Sequence, residues 1–426
     1  MPGRPRLQVV APASFVPPEI RALALPELIP VAQPDAPPPL ADPRAAARDA
    51  LAGAIEGRFT PGARVALCLG SRGLGRYPEL VAGALEALRA AGAEPFLVPA
   101  MGSHGGGTPE GQTRVLHDYG LADLGAAIAA DDATREVGRL EGGTVLHASE
   151  VALAADALVV LNRVKSHTGF RGPVESGLTK MMVIGLGKRP GAAALHARGY
   201  DGFAERLEAA RAPLLATYPP LVGLAVVEDA EGRPALVEAV PGERIAEREP
   251  ALLKEAKARM ARLPFAKLDV LVVGRAGKDV SGLGMDPNVT GRHASGRHEP
   301  PDPTRIALLS LTEASEGNAN GMGHADVVTQ AFADAVDPVA TWTNAITSTS
   351  LPSARLPVVM PDAATCVRLA LATCGAPAAE ARLAWISDTG HLARFWASPA
   401  AIRAAEGDGV ALARTGDPGN PPGLHG

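Results

Sequence analysis

The feature that most limits how this chain can fold is an alternation in its first half: a short apolar run, a glycine-rich turn, then a helical period. Val65-Ala66-Leu67-Cys68-Leu69 leads into Gly70-Ser71-Arg72-Gly73-Leu74-Gly75, and a helical pattern opened by Pro78 covers 78–91. A second apolar run, 95–98, leads into Met101-Gly102-Ser103-His104-Gly105-Gly106-Gly107, after which Thr108 and Pro109 form a helix start. Strand, glycine-rich loop and helix in succession predict parallel βαβ units, hence an α/β fold. A third buried strand, 157–161, delivers Asn162-Arg163-Val164-Lys165-Ser166-His167 to the same edge. Ligands of such sheets gather beyond the carboxyl ends of the strands, where helix N-termini offer free N–H groups.

The 426 residues exceed one ordinary core and predict two domains. A charged helical stretch, 249–262, ends near Pro264, and a new strand begins at 268–273. The expected division is therefore 1–262, carrying the three histidines introduced below, and 263–426, a second α/β domain. In the latter, glycine-rich loops at 277–286 and 316–324 flank a strand at 306–311. Two α/β domains with such loops are expected to face a shared cleft. The Pro-rich stretch 30–43 reads as an extended surface connection, and the chain after Gly407 as a loose tail.

With 41 basic and 46 acidic residues the formal charge is −5, which gives no footprint for nucleic acid. Basic residues form no block that would suit a membrane surface. No early apolar run suggests a signal peptide, and no stretch approaches the ~18 apolar residues of a membrane span. Cys68, Cys366 and Cys374 show no metal-type spacing and read as reduced structural residues. The expectation is a soluble cytoplasmic protein.

Imidazoles are the usual proton-transfer groups and metal ligands near neutral pH. His104 has only glycines after it to pack on, which favours chemistry over loop bracing. His167 stands just past a strand end, beside Thr168-Gly169. His196 closes the helical run Ala192-Ala193-Ala194-Leu195, where a buried structural role is equally consistent. Lys180, in Glu175-Ser176-Gly177-Leu178-Thr179-Lys180-Met181-Met182, precedes an apolar run, and desolvation makes a lysine a better nucleophile. Lys188 reads as an anion contact or a surface charge. His293, His298 and His324 lie in polar loops that can reach the expected cleft. His117 and His147 fall in amphipathic segments, His391 has no evident partner and His425 is in the tail. No phosphate-loop lysine, nucleophile elbow or His-Glu-x-x-His occurs, and residues 70–75 are only a partial dinucleotide fingerprint.

Taken together these residues resemble the lactate racemase family, whose enzymes use a nickel pincer nucleotide. Gly102-Ser103-His104 matches that family's Gly-x-His loop, and His167, Lys180 and His196 follow in the family's order, with Lys180 and His196 16 positions apart. The resemblance, strongest over 65–200, implies a divergent branch of the superfamily. Its implied roles are His104 and His167 as the two acid/base groups, Lys180 as the covalent tether and His196 as the nickel ligand. Gly105 and Gly106 would contact the cofactor, pyridinium-3,5-bisthiocarboxylic acid mononucleotide nickel, and Arg72 the substrate carboxylate, with Arg76 competing for that role. Asp286-Pro287-Asn288 resembles the family's Asp-x-Asn, making Asp286 and Asn288 substrate contacts. Thr290, Gly291 and Ala294 stand where the family keeps Tyr, Gln and Lys, which predicts a more open pocket for a 2-hydroxy acid larger or more polar than lactate. Arg292, His293 and Arg297 would then meet a second carboxylate or a polyol chain. The implied partners are a small 2-hydroxy acid and the cofactor-synthesis enzymes. Two other readings use the same residues: a zinc hydrolase with His104, His167 and His196 around the metal, and a non-catalytic nucleotide- or acid-binding protein.

Overall fold

A computed structural model describes residues 6–10, 15–33, 37–71, 73–294, 296–348, 350–416 and 421. It is an α/β structure in two compact units. One is continuous, Pro37–Met260; the other is split, Met1–Ala36 with Ala261–Gly426. The sequence division at 262/263 kept the N-terminal segment with the continuous part. In the structure, strand β1 (Ile29–Ala32) instead pairs with strands near the C-terminus, so the stretch expected to be a plain connection begins inside a sheet. Val31 supplies the reason, being fully buried in that sheet's core.

In the continuous unit, β2 (Arg64–Leu69), β3 (Glu94–Pro99), β6 (Ala157–Arg163), β7 (Leu221–Glu228) and β8 (Pro234–Pro241) form one sheet in the order β3-β2-β6-β7-β8. All neighbours are parallel except the β7/β8 pair. Strands β4 (Thr134–Arg139) and β5 (Val145–Ser149) make a separate antiparallel pair. The uninterrupted apolar runs follow from burial of both faces. Ala66 and Cys68 enter one core, while Val65, Leu67 and Leu69 enter the other. The helix expected after β2 is Tyr77–Ala90, and Thr108 caps Pro109–Asp118 by accepting the Gly111 N–H at 3.1 Å. Helix Ile245–Arg259 starts earlier than its charge pattern suggested and carries Pro250 inside its first turns.

The split unit adds β9 (Val270–Ala276), β10 (Arg305–Leu311), β11 (Val327–Thr329), β12 (Val358–Met360), β13 (Leu383–Ile386), β14 (Arg394–Ala397) and β15 (Ala413–Arg414). The order is β12-β11-β10-β9-β13-β14-β1-β15, parallel from β12 to β13. The β15 pairing with β1 places 413–414 in the sheet, so the expected loose tail does not begin at Gly407. Residues 417–420 and 422–426, with His425, lie outside the described residues. Both parallel sheets share a topology: the second strand lies on one side of the first, and a later strand on its other side. Each therefore has a switch point, between β2 and β6 and between β9 and β13. Among the described residues no helix is long and apolar enough to cross a membrane. The three cysteines are buried and free, and burial pushes the Cys68 thiol up to about 12, which leaves it unreactive.

Candidate functional site

The β2/β6 switch point gathers the segments singled out above. After β3, Gly105, Gly106 and Gly107 all adopt left-handed φ, of 62°, 71° and 68°. At Gly105 a side chain is excluded on packing grounds as well, since a Cβ there would lie 2.8 Å from the Gly111 backbone. This fold of the loop leaves His104 exposed, with Nδ1 hydrogen-bonded to Ser71 Oγ from the loop after β2. From beneath, buried Gln112 donates to the Gly102 carbonyl at 3.1 Å and the His104 carbonyl at 3.3 Å. The Gly102 N–H donates to Gly185 O at 3.1 Å, which ties this loop to the segment after Lys180.

His167 is positioned by a buried carboxylate. Glu175 Oε2 accepts the His167 N–H at 2.6 Å and the Ser166 hydroxyl at 2.9 Å, while Oε1 accepts Lys257 Nζ at 2.6 Å. The Gly169 N–H donates to His167 Nδ1 at 3.0 Å, so a neutral His167 carries its proton on Nε2. Its half-buried ring packs 4.4 Å from Phe170 and 5.8 Å from Tyr200, centroid to centroid.

Lys180 ends the short helix Leu178–Lys180, which passes directly into a π-helical turn, Met181–Gly185. Such turns are rare and frequent at functional positions. The start of the short helix rests on Glu249, whose two oxygens each accept the Thr179 N–H at 3.1 Å. Burial holds the Glu249 carboxyl above its ordinary range, against the opposing Thr179 hydrogen bonds. Asn162 donates to Gly177 O at 2.7 Å, and Lys180 Nζ to Ser176 Oγ at 3.5 Å.

His196 ends helix Lys188–His196 with an exposed edge, which settles the local ambiguity against a core histidine. Its ring lies 6.0 Å from Tyr200 and 4.9 Å from Phe203, so His167 and His196 share Tyr200 as a neighbour. Partial burial of the ring holds its pKa below the ordinary value, and the Lys180 and Arg206 cations add to this. The imidazole therefore favours its neutral form, the one that ligates metals.

Lys188 departs from the expectation of a surface charge or anion contact. It is 1% exposed, donates to Pro99 O at 2.7 Å and Gln112 Oε1 at 3.5 Å, and has Asp131 Oδ1 3.6 Å away. Burial lowers its pKa, opposed by Asp131. Through Gln112 it supports the His104 loop. Arg76 is engaged with Glu79, Nη2 to Oε2 at 2.7 Å, and Arg72 lies outside the described residues. The zinc alternative meets an obstacle: among the described residues no three His, Cys, Asp or Glu side chains gather as metal ligands, so His104, His167 and His196 do not form that set.

In the split unit, Asp286 caps the turn Pro287–Thr290, its Oδ1 accepting the Asn288 N–H at 2.9 Å and Asn288 Nδ2 at 2.8 Å. At the positions expected to open a pocket, the local packing is close. Thr290 is buried, and a Cβ at Gly291 would lie 2.0 Å from Glu299 O, so backbone 299–302 fills that side. The basic groups expected to meet substrate are occupied internally. Arg292 pairs with Asp326 at 2.7 Å, His293 with Glu299 at 3.0 Å, and Arg297 with Glu299 at 3.0 Å. His298 bonds Asp302 at 2.8 Å, and His324 bonds Ser353 at 3.1 Å. Burial, with the nearby Arg292 and His293, pushes the His324 pKa down to about 4. His391 has a partner after all, Asp388 Oδ1 at 2.7 Å.

Sequence reasoning missed Tyr200, Phe203 and Glu249, and did not see that Glu175 holds His167. Phe170, Tyr200 and Phe203 carried the one available signal, a local concentration of rings in a chain only 4% aromatic. Glu249 sits 70 positions from Thr179, and no local pattern announces it.

No protein-family model and no curated protein matches the chain. The chain is similar to several solved structures, two of which follow. A structural-genomics protein from Thermotoga maritima is 12% identical, covering 77% of this chain and 83% of that one, with a TM-score of 0.48. The lactate racemase apoprotein from Thermoanaerobacterium thermosaccharolyticum is 13% identical, covering 85% and 89%, with a TM-score of 0.40.

Proposed function

We propose that this chain is an isomerase, a 2-hydroxy acid racemase or epimerase of the lactate racemase kind, working with a nickel pincer nucleotide tethered to Lys180. The observation that carries this reading is the convergence of His167, Lys180 and His196: the two rings share Tyr200, and the Lys180 cation acts on His196. The donor set fits the cofactor. A neutral His196 offers one nitrogen to the metal, beside a lysine amine that can carry the covalent link. Gly105 and Gly106 have no side chains to obstruct a nucleotide.

When bound, the cofactor supplies a hydride acceptor for the substrate Cα. The chain does the rest. Arg72 is assigned the substrate carboxylate. His104 and His167 exchange the hydroxyl proton, one for each face of the planar keto acid, and each is fixed for this by a bond at Nδ1, from Ser71 and Gly169. Phe170, Tyr200 and Phe203 pack around the His167 and His196 rings and hold them in place.

Protein produced together with the cofactor-synthesis enzymes is the sample for the test. Intact-mass measurement and peptide mapping should place an added mass on Lys180, and single-enantiomer 2-hydroxy acids should lose optical activity. Nickel-containing, active protein with unmodified Lys180 would overturn the tether. No adduct and no turnover of any 2-hydroxy acid would favour the nucleotide- or acid-binding reading.

A further inference from the structure

The split unit has a switch point of its own, between β9 and β13, and a different set of side chains occupies it. Asp388, in the turn after β13, is fully buried, yet its pKa stays low. Burial alone would raise it, but hydrogen bonds from His391, Arg275 and Gly390 prevail. Oδ1 accepts the Gly390 N–H at 2.8 Å and His391 Nδ1 at 2.7 Å. Oδ2 accepts Arg275 Nε at 2.8 Å and forms an ion pair with Nη2, also at 2.8 Å. The Gly390 bond alone would shape the turn. Arg275 comes from a different strand, and both side chains face outward, 52% and 71% exposed for Arg275 and His391.

The geometry leaves each side chain one outward nitrogen. His391 uses Nδ1 on Asp388, which fixes the ring and directs Nε2 away from it. Arg275 uses Nε and Nη2, which leaves Nη1. Among the described residues no hydrogen bond takes either atom. The glycine-rich loop after β9 borders the same turn: the Asp286 N–H donates to Thr389 Oγ1 at 2.9 Å, and a Cβ at Gly390 would lie 3.7 Å from Val280 Cγ1. Loops after the two strands flanking a switch point are where open parallel sheets bind ligands.

We propose that the split unit carries an oxyanion site at this switch point, in which Arg275 Nη1, joined by His391 Nε2 when the imidazole holds both protons, grips a carboxylate or phosphate group of a small molecule. The buried Asp388 charge orients both donors, so little side-chain freedom remains to be lost on binding. The reading stands independently of the racemase proposal, since it uses none of the same residues.

The test is imidazole NMR on the full chain labelled at histidine, with the His391 signal, one of ten, assigned by its loss in His391→Gln. Inorganic phosphate and malonate are titrated separately at constant ionic strength. A saturable shift of the His391 signal with either probe supports the site, and the tighter probe names the group. Arg275→Gln should weaken that binding by about tenfold or more. Both substitutions are at exposed side chains but remove partners of the buried Asp388, so an unchanged amide spectrum of each variant is required before its titration is read. A shift that grows linearly without saturating, or saturation unchanged by Arg275→Gln, overturns the proposal.

Discussion

The two parallel sheets share a topology and glycine-rich loops, yet the loops after β2, β3 and β6 treat their histidines differently from those after β9 and β10. At β2/β6, His104 and His196 keep exposed edges, and the supporting bonds go to the backbone around His104 and His167 through Gln112 and Glu175. In the loops after β9 and β10, His293 and His324 are spent on internal bonds to Glu299 and Ser353. The difference does not lie in the glycines. It lies in burial: His293 is 3% exposed against Glu299, six residues on, whereas His104 is exposed. A loop histidine keeps an exposed edge when the surrounding structure satisfies its backbone, as Gln112 does at the His104 carbonyl.

The largest expected effect tests that contrast directly. With the cofactor loaded, His104→Ala or His167→Ala should lower racemisation by about 10²–10⁴-fold, the usual cost of losing a general base. His293→Gln should leave turnover unchanged, because its ring is engaged with Glu299. Near-normal turnover in His104→Ala would break the two-base reading, and a large loss in His293→Gln would break the contrast.

A smaller effect concerns support of the site. Glu175→Gln removes the charge that receives His167 N–H and Lys257, and should cost about 1.5–3 kcal/mol of stability by urea unfolding. It should also shift the His167 imidazole NMR signal, which a purely global loss of stability would not do. An unmoved signal would show that Glu175 does not set the ring's position.

The smallest effect is the pH response of the split unit. With its folded pKa at about 4, below the ordinary histidine value, His324 is protonated more readily in the unfolded chain. Its contribution is complete above the unfolded pKa and is lost as pH falls toward the folded one. Between about pH 7 and about pH 5 the loss should approach 2 kcal/mol. His324→Gln should remove that share of the pH dependence while keeping a partner for Ser353. Identical pH profiles for the two proteins would show that His324 is not buried as described.

Much of the frame was legible along the chain. The runs at 65–69, 95–98 and 157–161 became strands of one parallel sheet, since a strand buried on both faces must be apolar at every position. Helix starts at Pro109 and near Pro78 were legible because capping is local. The positions of His104, His167, Lys180 and His196 in loops or at helix ends were likewise readable from glycines and periodicity. The pocket expected from Thr290 and Gly291 was not, because small side chains signal either an opening or a close backbone approach, and here Glu299 O occupies the space.

What the sequence determined by itself was therefore the class of fold and the set of residues able to do chemistry, both of which depend on neighbours a few positions away. The tertiary structure decided which of those residues are spared for chemistry. Lys188 was buried beneath the His104 loop, β1 was returned to the far sheet, Glu249 was set under Thr179, and Arg275 met Asp388 across 113 positions. Each of these joins groups distant in the chain. Burial and hydrogen bonding, which fix a side chain's charge and direction, depend on what stands beside it in space.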